Sequence, residues 1–444
     1  MNYPFNLIHL GAENSVTGSC HLMQLHNGIN IMVDCGLFMG NDTAKQFSDF
    51  PVEASEIDYL FITHAHIDHI GRIPDLIEAG FDGEIICTHA TKVLLAPMLE
   101  DGLSFSKRTE KEIALILKQL DNLSWGFEYN QPFSLKKGVQ FKLSNAGHIL
   151  GSCFIKFDLP VDDENLFSVI FSGDLGNNNT PILPDPDKPD ACDLLILEAT
   201  YGNRNHGNRS ERVERLSSIL NKALQDNGKI YIPAFSLGRT QELIYEIDRI
   251  FSEHKIEKSI PVFIDSPLGL KITKIYSDMN EFWDQEATDL LRKGDHPIDF
   301  ENLYAVENYQ HHKKLMEIPG PAIIIAGSGM CTGGRIIDHL ENDLDNSKSD
   351  ILFVGYQAKG TTGRDIIKYS RLNDGYVKLN GHKITIKAKI HKMTGYSAHA
   401  DQNGLISFVK EMPSKPKMIK LVHGELKAKK ILKEVLVKIG YRVD

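Results

Sequence analysis

The 444 residues include only six cysteines, Cys20, Cys35, Cys87, Cys153, Cys192 and Cys331, and no Cys-x-x-Cys pair. That excludes a thiolate zinc ribbon and a dithiol redox motif, and makes a reducing compartment the simplest setting. No run of about 18 apolar residues occurs, and the opening MNYPFNLIHLGAENS lacks a basic stretch leading into an apolar one, so neither a membrane span nor a signal peptide is expected. Positive charge is in deficit: 49 Lys and Arg face 59 Asp and Glu, a formal charge of −10, which excludes a globally basic nucleic-acid surface but not a local basic groove. Aromatic residues are not interleaved with basic ones, which argues against sequence-specific base reading. These absences lead to the expectation of a soluble, cytoplasmic protein with no membrane partner and no appended RNA-binding module.

What is present fits an α/β protein of two or three domains. Asn6–Leu10, Ser19–Leu25 and Ile29–Asp34 read as successive antiparallel strands, and Asp58–Thr63 (DYLFIT) as a strand leading into a helix over Ile70–Ala79. From Arg209 to Gly375 the pattern becomes strand, glycine-bearing loop, helix, with strands at Lys229–Pro233, Pro261–Asp265, Ala322–Ala326 and Ile351–Gly355. This predicts a Rossmann-like parallel sheet. Strands are expected again at Lys383–Ile390 and Met418–Val422, followed by a Lys-rich amphipathic helix over Leu426–Ile439, whose lysines read as a solvated face.

The most informative window is His64-Ala65-His66-Ile67-Asp68-His69, where a predicted strand gives way to a helix. Three imidazoles and a carboxylate are too polar for a core strand and suit Zn²⁺ or a related divalent ion. His148, Asp174 and His423 also follow predicted strands. Alone, each would read as a turn or capping residue; together they supply the bridging carboxylate and terminal ligands of a two-metal site.

In this order, His64-x-His66-x-Asp68-His69, His148 and Asp174 resemble the metallo-β-lactamase fold. Downstream, Glu198 in LILEATYG, His399 in GYSAHAD and His423 in LVHGE resemble the three signature positions of the β-CASP nucleases. The resemblance extends over essentially the whole chain. It implies an α/β fold, an αββα metallo-β-lactamase sandwich with an inserted Rossmann-like β-CASP domain, divided as 1–208, 209–375 and 376–444. It further implies two Zn²⁺ ions, with Mn²⁺ as the alternative metal: His64, His66 and His148 on one, Asp68, His69 and His423 on the other, and Asp174 between them. Asp34 takes the family's place for the carboxylate that orients a ligand.

Such a metal pair activates water for in-line attack at phosphorus, which predicts 5′-phosphate and 3′-hydroxyl products. Asp68, Glu198 and His399 are the candidate catalytic residues, with His399 beside Glu198 as the acid for the leaving oxygen. Three glycine-bearing loops carry an arginine each, and Ser236, Arg239, Ser328, Arg335 and Arg364 are candidate phosphate contacts. The resulting expectation is a zinc-dependent ribonuclease acting on single-stranded RNA threaded between two domains, endonucleolytic with 5′-to-3′ exonuclease action open, and a homodimer open as well. The rivals are a DNA nuclease of the same superfamily, disfavoured by His423, and a catalytically inactive scaffolding paralogue, disfavoured by the complete ligand set. The remaining histidines, including His206, His311 and His312, read as surface or core residues.

Overall fold

The computed structural model describes residues 3–39, 49–162, 164–207, 210–253, 260–393 and 395–444. The chain forms two compact units, Met1–Asn205 with Ala398–Asp444, and His206–Ser397.

The first unit is built on two six-stranded sheets. One holds, in spatial order, β1 (Phe5–Gly11), β2 (Cys20–Leu25), β3 (Asn30–Val33), β4 (Tyr59–Phe61), β5 (Glu84–Thr88) and β6 (Ser124–Phe127). The pairs β1–β2 and β2–β3 are antiparallel, as expected of these first strands, and the remaining three parallel, so the sheet is mixed. The second holds β7 (Pro132–Ser134), β8 (Gln140–Asn145), β9 (Cys153–Pro160), β10 (Leu166–Phe171) and β11 (Leu194–Glu198), with β20 (Met418–Val422) on the far edge, parallel to β11. Alternate residues of each strand point to opposite faces. The inward set, Ile31, Val33 and Phe61 from one sheet and Phe141, Ile155, Phe157 and Ile196 from the other, makes one apolar core. Phe61 meets Phe141 and Phe157 edge-on, with ring centroids 4.9 and 4.7 Å apart, a favoured aromatic geometry. The outward residues of the second sheet, Phe154, Ile170, Leu195, Leu197, Ile419 and Leu421, bury against Leu405 and Phe408 of helix Gln402–Lys410 and Leu432 and Leu436 of helix Leu426–Lys438. Helices Ile73–Glu78, His89–Ser104 and Glu110–Leu123 follow the strands of the first sheet. This is the expected αββα sandwich.

The second unit carries a sheet in the order β14 (Leu303–Ala305), β13 (Val262–Asp265), β15 (Ala322–Ala326), β12 (Lys229–Pro233), β16 (Asp350–Phe353) and β19 (Lys389–Lys392). Every pair in it is parallel, as the strand–loop–helix pattern predicts. The stretch Lys383–Ile390, expected as one strand, is two: β18 (His382–Thr385) pairs with β17 (Tyr376–Leu379) in a hairpin, and β19 joins the parallel sheet beside β16. Ile384, Ile386 and Ile390 all pack on the same apolar cluster, so hydrophobicity alone does not reveal the break. Through β19 this unit runs past Gly375, where the strand–loop–helix pattern stops, to Ser397.

One close approach in the first unit ties the fold to the candidate site. After β3, Cys35 N–H donates to His69 O and Gly36 N–H to Ser19 O, while Ser19 N–H donates to Asp68 O, each at 2.8 Å. A Cβ on Gly36 would stand 1.6 Å from Asp68 O. We therefore expect Gly36→Ala to push this loop off the His66–His69 turn, destabilise the fold by about 2 kcal/mol or more, and lower the thermal midpoint by roughly 5 °C. Gly355→Ala, where an added methyl meets nothing within 4 Å, is the control, read by calorimetry on both variants.

Candidate metal centre

The first unit brings all seven predicted ligands to one edge of the sandwich. His64 and His66 lie between β4 and the helical turn Ile67–Ile70, which itself carries Asp68 and His69. Asp174 follows β10, and His423 follows β20, the neighbour of β11. His148 lies in the loop joining β8 to β9. Two ligand groups result. His64 Nε2 and His148 Nε2 stand 3.1 and 3.2 Å from His66 Nδ1, and 3.6 and 3.7 Å from Asp174 Oδ2. On the other side, His69 Nε2 is 3.2 Å from His423 Nε2 and 3.4 Å from Asp174 Oδ2, and His423 Nε2 is 3.8 Å from Asp68 Oδ2. Asp174 thus faces both groups, with Oδ1 3.6 Å from His423 Nε2.

These separations decide what sits between the groups. Two ligands bonded at about 2.0–2.1 Å to one tetrahedral zinc stand roughly 3.3 Å apart, so the spacing suits a shared cation. Among the described residues the buried Asp174 Oδ1 has no hydrogen-bond partner. Burial pushes the pKa of His64 and His148 well below the ordinary value and that of His66 down to about 4, holding the neutral form that a metal ligand requires. The donor set therefore fits divalent metal.

The candidate ligands are oriented from behind. Asp34 Oδ2 lies 2.7 Å from His69 Nδ1, and its carboxylate accepts from Thr63 N–H at 2.9 Å and from Ser19 Oγ at 3.1 Å. A proton on His69 Nδ1 leaves the Nε2 lone pair for a cation, the usual role of such a partner. Thr200 does the same for His423: its Oγ1 is 3.1 Å from His423 Nδ1 and 3.1 Å from His423 O. Thr63 Oγ1 stands 3.1 Å from His64 Nδ1. Sequence reasoning missed Thr63 and Thr200, whose only signal was adjacency to flagged residues. Asp34 and His423 both have left-handed backbones, φ 61° and 48°, a costly state for non-glycine residues that is concentrated at functional sites.

Glu198, at the end of β11, is fully buried. It accepts from Leu175 N–H at 2.8 Å and Thr200 N–H at 3.2 Å, and its Oε1 lies 3.3 Å from His399 Nδ1. Burial acts to lower the pKa of His399, but Glu198 and then Asp174 outweigh it and raise it to about 9. His399 thus stands beside the candidate ligands with Nδ1 turned towards Glu198.

The phosphate candidates lie in the second unit. Arg239 is buried and paired with Glu242. Arg335 donates to Asp265 Oδ1 and Val306 O, both at 2.7 Å. Arg364 is exposed, and Ser236 and Ser328 are partly so. Ser236 Oγ lies 3.0 Å from Ser266 Oγ. Around Asp265 a second cluster forms, with His312 Nδ1 and His339 Nε2 each 2.6 Å from Oδ2. These are hydrogen-bond lengths, shorter than the spacing across a metal, and Arg335 already neutralises the carboxylate. His312 is thus a core residue, as expected.

Three family models match: the metallo-beta-lactamase superfamily over 15–232, the Beta-Casp domain over 240–366, and the Zn-dependent metallo-hydrolase RNA specificity domain over 383–444. Ribonuclease TTHA0252 of Thermus thermophilus is 33% identical over 99% of this chain and 97% of its own. The chain belongs to the β-CASP branch of the metallo-β-lactamase superfamily. As a β-CASP protein it is also similar to the transcription termination factor FttA of Methanocaldococcus jannaschii, 28% identical over 96% of this chain and 67% of that one. The cleavage and polyadenylation specificity factor 73 of Drosophila melanogaster is 28% identical over 94% of this chain, which spans 59% of that relative. This β-CASP chain is a metal-dependent hydrolase of the nuclease class. Among the described residues no helix is long and apolar enough to cross a membrane.

Proposed function

We propose that this protein is a ribonuclease that hydrolyses phosphodiester bonds in single-stranded RNA, cutting internally and leaving 5′-phosphate and 3′-hydroxyl ends. The observation that carries this reading is the convergence of seven ligand side chains in two groups sharing Asp174, with the Glu198–His399 pair beside them. A relative named as a ribonuclease, matched almost end to end, and a family model described by RNA specificity support the choice of substrate.

In this reading His64, His66 and His148 would hold one divalent ion and Asp68, His69 and His423 a second, with Asp174 facing both groups. Zn²⁺ is the first choice and Mn²⁺ the alternative, because imidazole and carboxylate donors accept either. When bound, the pair supplies an activated water and neutralises charge on the phosphoryl oxygens. Asp34 and Thr200 fix the tautomers of His69 and His423, so that Nε2 of each is the ligand atom. Asp68 holds its carboxylate in the site as an acceptor for the proton of the attacking water. Glu198 anchors His399 through Nδ1, leaving Nε2 to carry the proton that the departing 3′-oxygen takes up. In the second unit, Ser236, Ser328 and Arg364 meet the RNA phosphates, while Arg239 and Arg335 fix the loops that present them.

The test is digestion of an internally labelled, unstructured RNA bearing either a 5′-hydroxyl or a 5′-monophosphate, with the metal content measured on the same preparation. We expect fragments with 5′-phosphates from both substrates, and none after chelation. Cleavage of the matching DNA with the RNA left intact would replace ribonuclease by DNA nuclease. A protein without metal and without cleavage would be a scaffold.

A further inference from the structure

We propose that the exposed lysines of helix Leu426–Lys438 form a docking strip for the phosphate backbone of RNA extending away from the metal centre. This rests on the ribonuclease reading above and adds a path for the substrate beyond the reacting bond.

Charge is segregated along the chain. Residues 410–444 carry ten lysines and arginines against four carboxylates, whereas the rest of the chain carries 39 against 55. A positive region this dense in an acidic protein is an electrostatic footprint for a polyanion. The structure then shows which of these side chains are paired. Elsewhere in the first unit some basic side chains are neutralised, as Arg108 by Asp75 and Glu78, Lys142 by Asp190 and Lys156 by Asp158. Lys417 also has its carboxylate, with Nζ 2.7 Å from Asp193. By contrast, among the described residues no carboxylate lies within ion-pair distance of Lys427, Lys430, Lys433 or Lys438, and all four are exposed.

These lysines lie on the outside of a helix whose opposite side, Ala428, Leu432 and Leu436, is buried. Lys427, Lys430 and Lys433 follow one another at intervals of three, so each is the surface neighbour of the next. Like charges at that spacing weaken a helix, and a bound row of phosphates removes the repulsion. Lys429 stands one turn before Lys433 but serves another purpose: its Nζ donates to Glu13 O and Asn14 Oδ1.

The strip begins at the metal centre. The helix starts three residues after the ligand His423, whose N–H donates to Ala12 O at 2.7 Å, and Lys429 fastens the next two residues of that same loop. From Lys427 to Lys438 the helix extends about 16 Å, long enough for several successive phosphates. Charge complementarity commits the strip to a nucleic-acid strand, since the row of unpaired ammonium groups provides point charges without base-reading donors.

The test compares a single-stranded oligoribonucleotide of about 30 residues with one of about 6, using wild type and the triple variant Lys427→Gln, Lys430→Gln, Lys433→Gln. With each lost phosphate contact worth a salt slope of about 0.7, we expect the slope for the long RNA to become shallower by about 2 and its affinity at low salt to fall about tenfold. Cleavage of the short RNA and the thermal midpoint should be unchanged. A second variant, Lys430→Glu with Lys433→Glu, should weaken long-RNA binding further. An unchanged salt slope for the long RNA in both variants would overturn the strip and leave those lysines to another class of partner, whether or not the protein cleaves. Failure of the wild type to cleave either RNA, with salt-dependent binding intact, would instead strike the nuclease reading alone.

Discussion

Asp174→Asn should leave a folded protein that no longer holds its metals and cleaves RNA at least on the order of 10³-fold more slowly. The substitution conserves shape and removes one charge at the position where it matters most. Asp174 Oδ2 faces His64, His148 and His69 at 3.4–3.7 Å, and Oδ1 faces His423 at 3.6 Å. A neutral amide has one oxygen to offer and turns an N–H₂ towards ring nitrogens whose lone pairs are needed elsewhere. Metal binding that favours the folded state stabilises it by about 2.7 kcal/mol at 100 times Kd. For a unit of this size that is a rise in thermal midpoint of roughly 5–10 °C. Wild type should show that rise on adding Zn²⁺ or Mn²⁺ to chelated protein, and Asp174→Asn should not. Two equivalents of tightly held metal in the variant, by elemental analysis, would remove Asp174 from between the groups.

The candidate ligands were legible because their residue types are anomalous where they occur. An imidazole-rich turn after the apolar strand Tyr59–Phe61 has no packing rationale, and His148, Asp174 and His423 each follow shortly after the end of a strand. The parallel sheet was legible for the complementary reason: Ala322–Ala326 and Lys229–Pro233 are short apolar runs with no alternation, the mark of strands covered on both faces. Thr63 and Thr200 were not, since a threonine beside a strand end is ordinarily a cap and its hydroxyl's target is decided by tertiary placement. The arginine loops show the same limit. Arg335 is 70 residues from Asp265, and only the fold reveals that its guanidinium is taken. Strand partners were hidden too: β19 completes the parallel sheet beside β16 although nothing in Lys389–Lys392 marks it as different from the hairpin that precedes it.

His399→Ala should separate metal binding from catalysis. Its ring lies beside His148, with centroids 4.6 Å apart, and its Nδ1 is held by Glu198, which also accepts two backbone N–H groups. A carboxylate held this firmly fixes the imidazole and keeps its proton available at Nε2, as the raised pKa reflects. Loss of a positioned acid typically costs 10²–10⁴-fold, so turnover on RNA should fall by that factor while metal content stays at the wild-type level. The leaving group distinguishes this from general damage. An alkoxide departs poorly without a proton, whereas p-nitrophenolate departs unaided; a bis(p-nitrophenyl) phosphodiester should therefore be hydrolysed by His399→Ala within a few-fold of the wild-type rate. Glu198→Gln, which keeps the hydrogen bond but removes the charge, should fall between wild type and His399→Ala on RNA. Equal losses on both substrates would mean that His399 supports the architecture of the site and that the proton comes from elsewhere.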